Sequence, residues 1–181
     1  GDPALGRILE VVKDREAQGY AYDTAQASFE LLARDVMDQL PHLFEVERYR
    51  VTVERRRNAE GRMVSLSEAV VVVDVDGEKR LSVSESLDED GADRGPVNAL
   101  SKALVKDLGK YSSLLDDMRL VDFKVRITQG GTEATTRVII DSEDGQGRRW
   151  STVGVSANIL DASFEALLDA IRWKLIRDRA Q

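Results

Sequence analysis

The sequence predicts an α+β domain made of two related βββα units, preceded by a short helical hairpin. Three observations predict it. The apolar period is 3.6 through the first forty residues and becomes 2 from Phe44 onward. The order strand, strand, strand, helix then occurs twice. Finally, the second occurrence answers the first segment by segment, which is the mark of an internal repeat.

Leu5, Ile8, Leu9 and Val12 fall at i, i+3, i+4 and i+7, the apolar face of a first helix that Gly19 ends. Asp23, three residues before Gln26, is a capping pattern for a second helix. Its expected apolar face is Phe29, Leu32, Ala33 and Val36, and Pro41 is its expected stop. Two short helices cannot bury their faces alone, so they must pack on the rest of the chain or on a domain upstream.

Tyr49, Val51 and Val53 alternate with Arg50, Thr52 and Glu54 as a half-buried strand. Val70 to Val75 is nearly continuous in β-branched residues, Asp76-Gly77 is a hairpin turn, and Leu81 and Val83 mark a third strand. Residues 86–94 read as a polar loop. Gly95-Pro96 opens a helix, with proline in the first turn where its missing N–H costs nothing, and Val97, Leu100, Leu104 and Leu108 line its inner face. In the second unit, Val121, Phe123, Val125 and Ile127 alternate with polar residues. Arg137 to Asp141 is the next strand, Asp144-Gly145 its turn, Trp150 to Val155 the third strand, and Ile159 to Ile176 a long helix.

The repeat pairs Tyr49–Val53 with Phe123–Ile127, Val70–Asp74 with Arg137–Asp141, Arg80-Leu81-Ser82 with Arg149-Trp150-Ser151, and Ala99–Leu104 with Ala162–Leu167. Residues 1–41 are therefore expected to be a helical connecting subdomain. Residues 42–181 are expected to be one domain of two units, 42–113 and 114–181, related by a pseudo-twofold axis. Helices on one face of each sheet leave a second face to cover, which predicts a homodimer, closed twofold symmetry being the commonest oligomer.

Composition narrows the function. Acidic residues outnumber basic ones by 33 to 26, a balance that argues against a nucleic-acid partner. The short run Arg55-Arg56-Arg57, flanked by Glu54 and Glu60, reads as a solvated strand end. No apolar run reaches the roughly 20 residues that span a bilayer, so no membrane partner is expected, and no secretory signal is visible. The absence of cysteine removes disulfides, thiolate metal sites and a cysteine nucleophile, and fits a cytoplasmic location. Gly1-Asp2-Pro3 leads straight into a helix, as at a cut within a longer chain.

No catalytic site and no metal site can be assembled. The lone His42 sits among Leu40, Leu43 and Phe44 and reads as structural. The carboxylate pairs Asp116-Asp117 and Glu143-Asp144 fall at expected turns, where turn and cap duty accounts for them. Asp14-Arg15-Glu16 reads as a solvated helix face. No phosphate-binding glycine loop and no nucleophile elbow occurs. What remains is a binding feature. Gly95-Pro96-Val97-Asn98-Ala99 places small residues at a helix N-terminus, whose free N–H groups and positive dipole end suit a carboxylate. Val153-Gly154-Val155-Ser156-Ala157-Asn158 is the equivalent run, and a glycine inside a strand signals close approach of a ligand or of another backbone. Ala99, Ala162 and Ala166 leave room at the helix surfaces. The same residues also fit helix starts with tight packing and no ligand.

These runs carry a family resemblance. Gly95–Leu100, Leu120–Ile127 and above all Trp150–Ser163 resemble the allosteric domain of 2-isopropylmalate and citramalate synthases. Ala17-Gln18-Gly19-Tyr20 and Ala27–Leu32 resemble the connecting subdomain of the citramalate branch. The resemblance implies a parent enzyme that condenses acetyl-CoA with a 2-oxo acid, pyruvate in the citramalate branch. Its catalytic (β/α)8 barrel, which holds a divalent metal, is not in this chain, so no cofactor is expected here. It also implies a dimer that binds the end-product amino acid, isoleucine or leucine, and so inhibits the barrel. The effector-site residues it implies are Gly95, Pro96, Val97, Asn98, Ala99, Leu100, Val153, Gly154, Ser156, Asn158, Ile159 and Ala162, with Asp122, Thr132 and Ala134 around them. Where the family has a glycine-rich approach to Gly-Pro-Val, this chain has Ala92-Asp93-Arg94. The alternative is a dimerisation module with no working effector site.

Overall fold

A computed structural model describes residues 2–88, 95–130 and 133–179. The chain divides into two compact units: a central unit, His42–Asp116, and a split unit in which Gly1–Pro41 folds with Asp117–Gln181. Each unit holds one three-stranded antiparallel sheet in sequence order with a helix laid on it. The α+β class and the twofold occurrence of strand, strand, strand, helix are therefore present.

In the central unit, β1 (Glu45–Arg57), β2 (Met63–Val75) and β3 (Glu78–Asp88) form a meander, and α3 (Gly95–Lys106) lies over β2 and β3. Alternation decides the core: Ala69, Val71 and Val73 of β2 turn inward with Val97, Ala99, Leu100, Ala103 and Leu104 of α3. The β2–β3 turn is Asp76-Gly77, both with positive φ (54° and 82°), as a type I′ hairpin requires. Leu108 is fully buried just past α3, and a 3-10 helix (Gly109–Leu115) closes the unit on Tyr111 and Leu115. β1 follows its alternation over part of its length. Tyr49 and Val51 are half-buried between the exposed Arg50, Thr52 and Glu54, as alternation predicts, but Val53 is 53% exposed toward the far end of the strand. The expected polar loop is strand as far as Asp88, and its remainder lies outside the described residues.

In the split unit, β4 (Arg119–Gly130), β5 (Glu133–Glu143) and β6 (Arg149–Ser156) repeat the meander, and α4 (Ile159–Arg179) covers β5 and β6. The burial periods coincide: Ala99, Leu100, Ala103, Leu104 and Leu108 answer Ala162, Ser163, Ala166, Leu167 and Ile171, all at most 2% exposed. Both first strands carry a bulge at the same register, between Val46 and Arg48 and between Leu120 and Asp122. Counted from these bulges, Val71 answers Ile140 and Arg80 answers Trp150. The expected pairing of Leu81 with Trp150 is one residue out. A one-residue slip flips the face: Trp150 is buried under α4, whereas Leu81 is 59% exposed. The β5–β6 turn also differs, with Gly147 and not Gly145 taking positive φ (80°).

The hairpin of α1 (Pro3–Ala17) and α2 (Gln26–Val36) belongs to the split unit, with α2 packed along β6 and α4. β6 is an edge strand with outward N–H groups, and the Ser28 hydroxyl accepts one of them, from Val153, at 2.9 Å. That close approach needs small residues, which Ala27 and Ser28 supply; α2 buries both together with Leu31, and Phe29 of the expected face is 40% exposed. α1 buries only Ile8; Leu5 and Leu9 are more than half exposed. Ala25 rather than Asp23 occupies the cap position of α2, with no side-chain bond. The helix stops at Met37, before Pro41, where Asp38 turns the backbone to φ 54°. No described helix is long and apolar enough to cross a membrane.

Candidate functional site

The α3 start of the central unit is built around Gly95. A Cβ there would stand 3.0 Å from the Ser67 hydroxyl and under 4 Å from Asp88 Cβ, so glycine lets the helix end settle onto β2 and β3. Ser67 is 1% exposed, and its hydroxyl has no hydrogen-bond partner among the described residues. An unmade bond of this kind costs about 1–3 kcal/mol. Val97, Ala99 and Leu100 are spent on the core, leaving Pro96 and Asn98 half-buried at the surface. The α3 start therefore combines an anion-favouring helix end, a buried orphan hydroxyl and one amide side chain within reach of solvent. Ala92-Asp93-Arg94 and Thr132 lie outside the described residues.

The equivalent junction of the split unit is a packing seam. A Cβ on Gly154 would lie 1.9 Å from the Ala162 carbonyl oxygen and 2.9 Å from Ala166 N. The close approach that this glycine signals is thus to the α4 backbone. Ala162, Ala166 and Ala170 are fully buried, so the small residues hold the helix against the strand and leave no space. Two bonds fix it there: Thr152 Oγ1 donates to the Ala166 carbonyl at 2.7 Å, and Trp150 Nε1 to that of Ala170 at 3.1 Å. Asn158 caps α4, its Oδ1 accepting from Leu160 N at 2.7 Å, while Ser156 accepts from Asn158 N. The α4 start thus spends part of its donor set internally. Ile159 is 49% exposed. Ala134 is exposed at the same end of the sheet as Ser156. Asp122 accepts from Phe123 N and lies opposite Asp141, itself opposite Ser151. That places it about 16 Å along the strands from Ser156, so the sheet keeps it apart from the Ser156–Asn158 end.

The carboxylate pairs serve turns, as their positions imply, and also build an ion network. Lys174, 2% exposed, meets Asp117 at 3.1 Å and Asp178 at 2.6 Å, and Arg148 bonds Asp144 at 2.5 Å and Asp178 at 2.6 Å. Burial would raise Asp144, but Arg148 and two backbone amides outweigh it and hold it below the usual carboxylate range. Asp117 and Asp178 are lowered in the same sense against their own burial. His42 is exposed, 3.8 Å from Glu45.

Sequence reasoning missed a cleft of about 300 Å³ between the hairpin and α4. α4 presents Glu165, Asp169 and Arg172 to it at i, i+4 and i+7, and α2 presents Ser28, Leu31, Leu32 and Asp35. Tyr20 donates to Glu165 and accepts from Arg15 Nη1 at 3.0 Å. Ser28 donates to Asp169 Oδ2 at 2.8 Å. Burial pushes the Asp169 carboxyl up to about 7, against the Ser28 bond and the Arg172 charge. Among the described residues, Val153 is the one expected effector residue that lines this cleft.

Residues 23–175 match the LeuA allosteric (dimerisation) domain. The chain is 42% identical to an (R)-citramalate synthase of Synechocystis over 96% of its own length and 31% of that enzyme's. It is 41% identical to the (R)-citramalate synthase of Geobacter sulfurreducens over the same shares. A 2-isopropylmalate synthase of Methanocaldococcus jannaschii is 36% identical over 42% of the chain. The chain thus spans about a third of the length of the curated relatives it matches. A match that runs from residue 23 to residue 175, across both sheets and the helices laid on them, makes the chain a member of the LeuA allosteric (dimerisation) domain family.

Proposed function

We propose that this chain is the regulatory end of a synthase that condenses acetyl-CoA with pyruvate, that it pairs as a homodimer, and that it binds isoleucine as feedback inhibitor. The observation that carries the reading is the near-complete match to (R)-citramalate synthases, 42% identical over 96% of the chain but only 31% of the relative. The α3 start supports the effector part. Its dipole end and the orphan Ser67 hydroxyl suit a carboxylate, and Asn98 supplies an amide oxygen for an ammonium. Inhibition further requires that the amino acid bind two enzyme states unequally, which is a property of the whole synthase.

The test is calorimetric titration of the chain with isoleucine, leucine and valine, with its mass measured alongside. Saturable isoleucine binding to a dimer, with leucine weaker and Asn98→Ala weaker still, is expected. No heat from a folded dimer overturns the effector reading. A second reading, a dimerisation module without an effector, is favoured by the split unit, where Gly154 meets helix backbone and Asn158 is consumed as a cap.

A further inference from the structure

The loop between α1 and α2 lies on the face of the second sheet that α4 does not cover. Tyr20, Tyr22 and Ala25 pack there against Val153, and a Cβ on Gly19 would stand 3.0 Å from the Thr128 hydroxyl. Beside the loop the same face opens into a cleft of about 400 Å³, whose walls include Asp23 and Thr24 of the loop and Lys124, Arg126, Arg137 and Asp141 of the strands. In a chain of net charge −7, three cations converge on it. Arg126 stands directly opposite Arg137 across the β4–β5 ladder, and like charges so placed destabilise a sheet. Neither guanidinium has a carboxylate partner among the described residues. Arg137 is half-buried, and its Nε donates to the Gly19 carbonyl at 2.6 Å. The hairpin thus fixes the plane of this guanidinium and leaves both Nη groups without a hydrogen bond among the described residues. Lys124 is held only loosely, 3.6 Å from Asp122. Packing gives no reason for a repelling pair with one member clamped by a backbone carbonyl, whereas an anion between the two forks does.

We propose that this cleft binds a small organic phosphate that carries hydroxyl groups. The phosphate would lie between Arg126 and Arg137 with Lys124 alongside, and the hydroxyls would reach Asp23 and Asp141. The ligand class follows from the lining. Guanidinium forks meet phosphate oxygens bidentately, and two forks with an ammonium exceed what the single charge of a carboxylate calls for. Asp23 and Asp141 repel a bare anion but accept hydroxyl protons, as Asp141 already does from Ser151 at 2.6 Å. Ala21 and Ile139 are the only apolar side chains of the lining, too little to seat a hydrocarbon chain or a nucleobase. A volume of about 400 Å³ suits a molecule the size of a pentose phosphate. The site belongs wholly to the split unit and shares no residue with the α3 start, so it stands independently of the effector site proposed above.

The experiment is an NMR titration of the 181-residue chain with ribose 5-phosphate, with inorganic phosphate and ribose as comparisons, read at the Arg137 Nε–H and the Ile139 methyl groups. Ribose 5-phosphate is expected to shift both saturably and ribose to shift neither. Inorganic phosphate, which lacks the hydroxyl contacts to the two carboxylates, is expected to bind about tenfold more weakly. Arg126→Gln is the decisive variant, because Arg126 is exposed and makes no hydrogen bond among the described residues whose loss could unfold the chain. It is expected to weaken binding about tenfold, the loss of one charge-assisted contact. Arg56→Gln, in the other basic run of the sequence, is expected to bind like the parent. The absence of a saturable shift, or equal binding of ribose 5-phosphate and inorganic phosphate, would overturn the proposal, the latter marking an adventitious ion only. So would an Arg126→Gln chain that binds like the parent, or an Arg56→Gln chain that loses as much as Arg126→Gln.

Discussion

Replacing Gly154 by alanine tests the seam between β6 and α4 most directly. The new Cβ would stand 1.9 Å from the Ala162 carbonyl oxygen and 2.9 Å from Ala166 N, both backbone atoms that cannot rotate aside. Restoring ordinary contact moves α4 outward by about 1.5 Å. The move strains or breaks the bonds from Thr152 to Ala166 and from Trp150 to Ala170, together about 2 kcal/mol. Overpacking itself adds about 1–3 kcal/mol. A loss of roughly 3–5 kcal/mol is expected, a large part of the roughly 5–15 kcal/mol by which domains are typically stable. With a slope of about 2 kcal/mol per molar urea, the midpoint falls by about 2 M. Tryptophan fluorescence is the right probe, since both tryptophans, Trp150 and Trp173, lie in this unit with ring centroids 5.0 Å apart. A Gly154→Ala chain whose midpoint stays within a few tenths molar of the parent would show that α4 does not rest on the strand as described.

Gly6 is the counterpart. It lies inside α1, and a Cβ added there would meet no atom of the described residues within 4 Å, so Gly6→Ala is expected to stabilise the chain by up to about 1 kcal/mol in the same urea assay. Lys174→Met strips Asp117 of its cation and halves the cationic support of Asp178, and a loss of about 3 kcal/mol near neutral pH is expected. Because Asp117, Asp144 and Asp178 are all lowered, the network's stabilisation is present above the unfolded carboxylate range and lost as pH falls through the folded values. Midpoints measured from about pH 7 down to about pH 3 should therefore converge for the parent and Lys174→Met chains. Asp169 has the opposite sign. Raised to about 7, it favours the folded state fully below the unfolded value near 4 and loses that contribution as pH climbs toward and past 7. Asp169→Asn should therefore gain stability relative to the parent between about pH 5 and 8, and a constant difference across that window would contradict the buried placement.

Local signals were legible in the sequence where one residue type decides the outcome. Asp76-Gly77 turns because positive φ suits it, and the apolar faces of α3 and α4 follow the 3.6 period. The Gly154 signal was also readable, though only the folded chain reveals that its neighbour is a helix backbone. What failed depended on tertiary partners. Alternation in Tyr49, Val51 and Val53 shows which way side chains point but not how far along the strand the cover extends: Tyr49 and Val51 are half-buried, and Val53 is 53% exposed. Leu5 and Leu9 have helical spacing, yet α1 turns only Ile8 fully inward. Aligning Leu81 with Trp150 kept hydrophobicity and lost parity, an error that only strand register reveals. The cleft was invisible because Ser28 and Asp169, 141 residues apart, look like a helix surface serine and an ordinary acid until the hairpin and α4 meet.

The split unit sets an order of events during synthesis. Its hairpin is made well before β6 and α4, and only those later elements complete the surface that receives Ala27, Ser28 and Leu31. At roughly 5–20 residues per second the delay is on the order of 10 s. The central unit, His42–Asp116, is contiguous and can close within that interval. The hairpin must instead wait, with this face open to water or to chaperones. Conditions that slow elongation across the later strands should therefore burden this hairpin before they burden the central unit.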